Sequence, residues 1–157
     1  MANEESLFKV VLVEPEIPQN TGNIGRTCVG AQCELHIIGP MSFEITDSNV
    51  KRAGLDYWPH LRWYYYENFE QWRAQVQNPD RVFYFTTKVR KTFYDIEYQK
   101  GDWLVFGKET KGLPPELIQQ NYQQAVTIPQ PGPVRSLNLA TSVAIAVYEA
   151  YRQVGRG

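Results

Sequence analysis

The chain is poor in the residues that most often announce chemistry. It has two cysteines and two histidines in 157 residues. Cys28 and Cys33 are too few for a disulfide framework and are spaced wrongly for a zinc pair. His36 lies inside a β-prone run and reads as a packed residue, while His60 follows Pro59 and reads as exposed. Neither belongs to a metal-binding or serine-triad pattern, so whatever chemistry occurs here needs neither metal nor histidine base. No apolar run approaches the roughly 20 residues of a membrane span. Met1 to Lys9 carries Glu4 and Glu5 where a signal peptide would be basic and then apolar, so a cytoplasmic protein with no membrane contact is expected. Nor is there an excess of either charge: 16 Lys and Arg against 17 Asp and Glu give a net charge of −1. That excludes a uniformly basic nucleic-acid binder but leaves room for a local basic face. There is no G-x-G-x-x-G, and Gly107-Lys108-Glu109 lacks both the first glycine and the hydroxyl of a phosphate-binding P-loop.

What is present is an ordinary globular composition, 43% hydrophobic and 21% charged, at a length suited to one domain spanning 1–157. Ten Tyr and four Trp invite thoughts of base stacking, although most are expected in the core or an interface. Apolar runs at Phe8–Val13, Glu34–Ile38, Leu61–Tyr66, Arg81–Thr86, Asp102–Phe106 and Ala125–Ile128 predict strands. Helices are expected from about Gly22 to Ala31, capped by Asn20 or Thr21, and in a short stretch from Ser48 through Ala53. Others are expected over Phe69, Trp72 and Val76, after Pro114-Pro115, and from Asn138 to Gly155. Strand and helix alternate throughout. The pattern predicts an α/β fold with a mostly parallel sheet and helices on both faces.

In such sheets ligands sit beyond the carboxyl ends of the strands. Three strand ends are unusually rich in glycine and polar residues: Glu14 to Arg26, Phe106 to Pro114, and the Pro/Gly loop from Ile128 to Asn138 that opens onto the most apolar helix. Thr86-Thr87-Lys88 is a possible fourth.

Asn20-Thr21-Gly22-Asn23-Ile24-Gly25-Arg26, Phe106-Gly107-Lys108-Glu109-Thr110-Lys111-Gly112-Leu113-Pro114 and Arg135-Ser136-Leu137-Asn138-Leu139 together resemble the three ordered motifs of the SPOUT RNA methyltransferases. The resemblance runs from Lys9 to Gly155. It is closest to the small stand-alone members that 2′-O-methylate the wobble nucleotide of tRNA, the TrmL (YibK-like) type. Glu14-Pro15-Glu16-Ile17-Pro18, Arg52 to Tyr57 and Val147-Tyr148-Glu149-Ala150 add to it. Gln130 to Val134 departs from the subgroup, which usually carries Asp-Ser before the arginine. The resemblance implies a C-terminal trefoil knot, bound S-adenosylmethionine converted to S-adenosylhomocysteine, no metal, and a homodimer with composite active sites. The substrate it implies is the wobble cytidine or uridine of tRNA, leucine isoacceptors foremost. Another tRNA or ribosomal RNA position, or a non-catalytic knotted RNA-binding module, are the alternatives.

By the same resemblance Phe85, Gly107, Glu109, Gly112, Ile128, Ser136 and Leu137 would contact the cofactor, with Gly107 letting backbone approach it closely. Arg26 would hold an RNA phosphate and stabilise the developing alkoxide, since guanidinium does not serve as a free base. Glu109 would orient Arg26 or Asn20, while Ser136 and Asn138 would order their loop and bond cofactor or ribose. Tyr148, a polar tip on an apolar helix, is the better side-chain base if one is used. Asn20, Arg26, Lys88, Arg90, Lys91 and Arg135 lie on the ligand-side loops, where RNA requires cations.

Overall fold

The computed structural model describes residues 5–45 and 57–155. Six strands form one sheet: β1 (Phe8–Val13), β2 (Cys33–Ile38), β3 (Trp63–Tyr66), β4 (Val82–Phe85), β5 (Trp103–Phe106) and β6 (Ala125–Val126). Their order is β3-β2-β1-β5-β4-β6, and every neighbouring pair is parallel. Among the described residues four α-helices accompany them: α1 (Pro18–Gly30), α2 (Phe69–Arg73), α3 (Pro115–Gln120) and α4 (Leu139–Val154).

The alternation of side chains along each strand divides the core in two. Phe8, Val10 and Leu12 of β1 face one side with Leu35, Ile37, Leu104 and Phe106, and are covered by Ile24 and Cys28 of α1 and Val143, Ala146 and Val147 of α4. Val11, Val13, Val82, Tyr84 and Val105 face the other, under Trp72 of α2 and Ile118 of α3. A parallel sheet buried on both faces explains why its central strands read as unbroken apolar runs. β1 lies between β2 and β5; the chain runs outward through β2 and β3, crosses to β4, returns inward to β5 and ends outward at β6. The carboxyl ends of β4, β5 and β6 thus lie side by side at one end of the sheet.

Two helix expectations change. α1 begins at Pro18, not Gly22, because proline at the first position presets the helical φ. Asn20 and Thr21 consequently lie inside the helix, both buried, instead of capping it. α2 stops at Arg73, and Val76 is buried in the turn beyond. Asn138 does cap α4: its side-chain oxygen accepts from Thr141 N–H at 3.2 Å. Gly155 ends that helix, its N–H donating to the Tyr151 carbonyl. The expected helix at Ser48 to Ala53 lies outside the described residues. His36 is buried and His60 exposed, as expected.

Candidate active site at the carboxyl ends of the strands

Beyond β4, β5 and β6 the loops enclose a cleft of about 460 Å³, within the range of small-molecule sites. Phe85, Phe106, Ile128, Leu137 and Leu139 supply apolar wall; Thr86, Thr87, Ser136 and Ser142 supply hydroxyls; Lys88, Lys108, Lys111 and Arg135 supply positive charge. All seven residues expected around a cofactor line it: Phe85, Gly107, Glu109, Gly112, Ile128, Ser136 and Leu137. Gln130, in the stretch that departs from the subgroup, also forms part of the wall. Its Oε1 is buried with no hydrogen-bond partner.

The glycines of the β5 loop have two separate reasons. A Cβ on Gly107 would sit 2.1 Å from the Gly112 carbonyl carbon and 2.2 Å from Leu113 N, so this glycine admits the loop's own returning backbone. This is a reason for glycine beyond the expected close approach to a ligand. Gly112 has φ +69°, a left-handed conformation that costs other residues about 1–2 kcal/mol. Its N–H closes the loop by donating to the Lys108 carbonyl at 2.9 Å.

Glu109 joins this loop to the start of α1. Its carboxylate accepts from the N–H groups of Glu16 (2.7 Å) and Ile17 (3.0 Å) and from Asn20 Nδ2 (3.2 Å). Ile17 is the N-cap of α1 and offers no side-chain cap, so a carboxylate from a distant loop meets the positive end of the helix instead. Asn20 Oδ1 in turn accepts from Asn138 Nδ2 at 3.2 Å. One chain of hydrogen bonds thus links all three sequence motifs, through Glu109, Asn20 and Asn138. Beside it Lys108 Nζ pairs with Glu14 Oε1 at 3.0 Å, which keeps the ammonium charged and raises its pKa. Glu14 adopts φ +54°, an uncommon conformation for a residue with a side chain and one that turns the chain sharply out of β1.

Asn20, Arg26, Arg90, Lys91, Asn138 and Tyr148 are not among the residues lining the cleft. Arg26 stands on α1 with its guanidinium 5.8 Å from the centre of the Tyr57 ring. The Tyr57 hydroxyl donates to the Gly22 carbonyl, one turn before Arg26, so Tyr57 holds both helix and arginine. Tyr148 is 49% exposed on α4, where Ile145 is also exposed. Sequence reasoning passed over Tyr57, Lys108, Thr110 and Glu16 as contributors. Only their places in the motifs hinted at them, because their partners are far away in sequence.

Among the described residues no group of three His, Cys, Asp or Glu side chains is placed to hold a metal ion, and no helix is long and apolar enough to cross a membrane.

The SpoU rRNA methylase family model matches residues 7–148. A tRNA (cytidine(34)-2′-O)-methyltransferase of Burkholderia cenocepacia is 43% identical over 95% of this chain and 97% of its own length. A solved structure described as giving insight into the 2-OH methylation of C/U34 on tRNA is 42% identical. It superposes with a TM-score of 0.88 over 96% of this chain and 92% of its own. An AdoMet-bound rRNA methyltransferase from Sinorhizobium meliloti, 27% identical, aligns with a TM-score of 0.80 over 95% of this chain and 57% of its own. An all-parallel sheet, a cleft lined by the second and third motif loops and tied to the first by hydrogen bonds, and a family match over most of its length agree: this chain belongs to the SpoU methylases, a family of RNA methyltransferases.

Proposed function

We propose that the chain transfers a methyl group from S-adenosylmethionine to the 2′-hydroxyl of the wobble cytidine or uridine of tRNA, leucine isoacceptors foremost. The observation that carries the reading is the Glu109–Asn20–Asn138 hydrogen-bond chain, which ties the three motifs to the rim of one cleft. The names of the nearly full-length relatives support the substrate.

The cleft suits the cofactor. Apolar surface from Phe85, Ile128 and Leu137 matches an adenosine ring, and the unpartnered Gln130 Oε1 is an acceptor awaiting an amino group. Lys88, Lys108, Lys111 and Arg135 can meet a carboxylate or RNA phosphates. When bound, S-adenosylmethionine supplies the activated methyl on its sulfonium. The protein's part is positioning, because an in-line displacement depends on alignment. Glu109 fixes the entry of α1 and the amide of Asn20. Asn138 fixes the mouth of α4 behind Ser136. Arg26 grips an RNA phosphate and stabilises the oxygen as its proton leaves.

Arg26 and Tyr148 stand away from the cleft on α1 and α4, whose outer surface also exposes Ile17 and Ile145. That apolar surface supports a homodimer in which a second copy brings its Arg26 and Tyr148 towards this cleft. The C-terminal trefoil knot of the SPOUT fold accords with the return of the chain from β6, at one sheet edge, to α4 packed beside α1.

The test is transfer of labelled methyl from S-adenosylmethionine to unmodified total tRNA, followed by nucleoside mapping. A 2′-O-methyl pyrimidine at the first anticodon position is expected; label at another position would overturn the substrate assignment. Arg26→Ala should lower turnover about 100-fold or more while cofactor affinity holds. Loss of cofactor binding in that variant would sink the role given to Arg26.

A further inference from the structure

The loop of residues 107–112 has an inner and an outer face. Its inner face lines the cleft along its whole length, from Gly107 to Gly112. Its outer face holds the junction between β1 and α1, and the hold is reciprocal. Glu16 N–H donates to Glu109 Oε1 at 2.7 Å, while the Glu16 carboxylate accepts from Thr110 N–H at 3.0 Å and from Thr110 Oγ1 at 2.9 Å. Ile17 N–H adds a further bond to Glu109. Glu16 and Thr110 are 94 residues apart and neither is buried in the core. They therefore form a surface clasp, and packing does not require it.

The clasp sits where two binding events meet. The segment it grips leads directly into α1, which carries Asn20 and Arg26. The loop cannot shift against the cleft without moving the first turn of that helix. A ligand that fixes the inner face removes freedom from the outer face as well, so the cost of ordering is met once for both. Reciprocity follows from linkage: whatever factor the first ligand confers on the second, the second confers on the first.

We propose that Glu16 and Thr110 are positioning residues that make cofactor and RNA binding cooperative, an inference that rests on the reading of the cleft and of Arg26 given above. Neither residue need touch the reacting atoms. Their contribution is to hold the arginine-bearing helix in register with the cofactor loop.

The experiment measures the Kd for tRNA of the full chain with and without saturating S-adenosylhomocysteine. It compares wild type, Glu16→Ala, Thr110→Val and Thr110→Ser. In wild type the product should tighten tRNA binding about 5-fold or more, and tRNA should tighten product binding by the same factor. Thr110→Ser keeps both donors and should keep the linkage. Glu16→Ala and Thr110→Val should reduce it to less than about 2-fold, with the affinity of the Glu16 variant, whose substitution lies outside the cleft, nearly unchanged for each ligand alone. A merely structural clasp would change stability and leave the linkage intact. Equal linkage in all four proteins, or no linkage in a wild type that binds both ligands, would overturn this inference and leave the functional reading standing. A wild type that binds neither ligand would overturn both.

Discussion

The two ends of the sheet each carry a network of charged and polar side chains, and they are built on opposite plans. At the amino end Arg81 meets Asp102 in a two-pronged pair, Nε to Oδ1 at 2.8 Å and Nη2 to Oδ2 at 2.6 Å. Asp102 is 1% exposed and also accepts from Gln99 N–H. Every partner there lies on the loops and ends of β4 and β5, and the network is closed. At the carboxyl end Glu109, Asn20 and Asn138 join three distant segments and stop at an open cleft. A closed network stabilises the fold. An open one holds surfaces ready for something else, and the difference separates an ion pair that is structural from a carboxylate that belongs to a site.

The sharpest break between the two is Arg81→Ala. It leaves the Asp102 carboxylate buried without its partner and should cost about 3–5 kcal/mol, read as a lower urea midpoint. The specific activity of the folded fraction should stay at wild type. Glu109→Ala should do the reverse in emphasis. Three donors lose their acceptor, at about 2 kcal/mol of stability, but turnover should fall about 100-fold because α1 is no longer held in register. Equal activity losses from both substitutions would erase the distinction.

A smaller effect sharpens it further. His36 is buried between Tyr66 Oη, 2.8 Å from Nδ1, and Glu34 Oε1, 2.8 Å from Nε2, with Tyr64 stacked over its ring. A histidine held between a tyrosine and a glutamate has the outward form of a catalytic group. Here burial holds its pKa below the ordinary 6.5, and the His36 hydrogen bond holds Glu34 below its ordinary 4.5. Both groups carry fewer protons folded than unfolded. Stability is therefore complete above pH 6.5, declines as pH falls below it, and declines again below 4.5. His36→Gln should flatten the first of these declines in a pH series of thermal melts, leaving methyl transfer within about 2-fold of wild type. A large activity loss would move His36 into the site.

Much of the fold was legible because a sheet buried on both faces leaves continuous apolar runs, and all six expected strands lie within two residues of those observed at either end. The cleft was legible for a related reason: loops at strand ends carry glycine and polar residues where an ordinary turn would need few. What stayed hidden depends on long-range partners. The start of α1 was misplaced because its cap is Glu109, more than ninety positions along the chain. That Gly107 also admits the returning backbone is hidden too, because nothing local shows that Leu113 comes so close. The hold of Tyr57 on Arg26 is equally invisible without the packing of the Trp58–His60 turn against α1. The distance of Arg26 and Tyr148 from the cleft likewise follows from helix placement, to which residue type is blind.

The separation in sequence that defines the site also dates it during synthesis. β1 is made well before its neighbour β5, which begins only at Trp103, and the Asn20–Asn138 bond spans 118 residues. At about 5–20 residues per second, translation leaves Val10, Val11 and Leu12 without their β5 partners for seconds. A chain made only as far as β4 has an apolar strand to shelter and no cleft to fill. The binding site thus comes into being only after both ends of that span have been made, later than the strand on which it is founded.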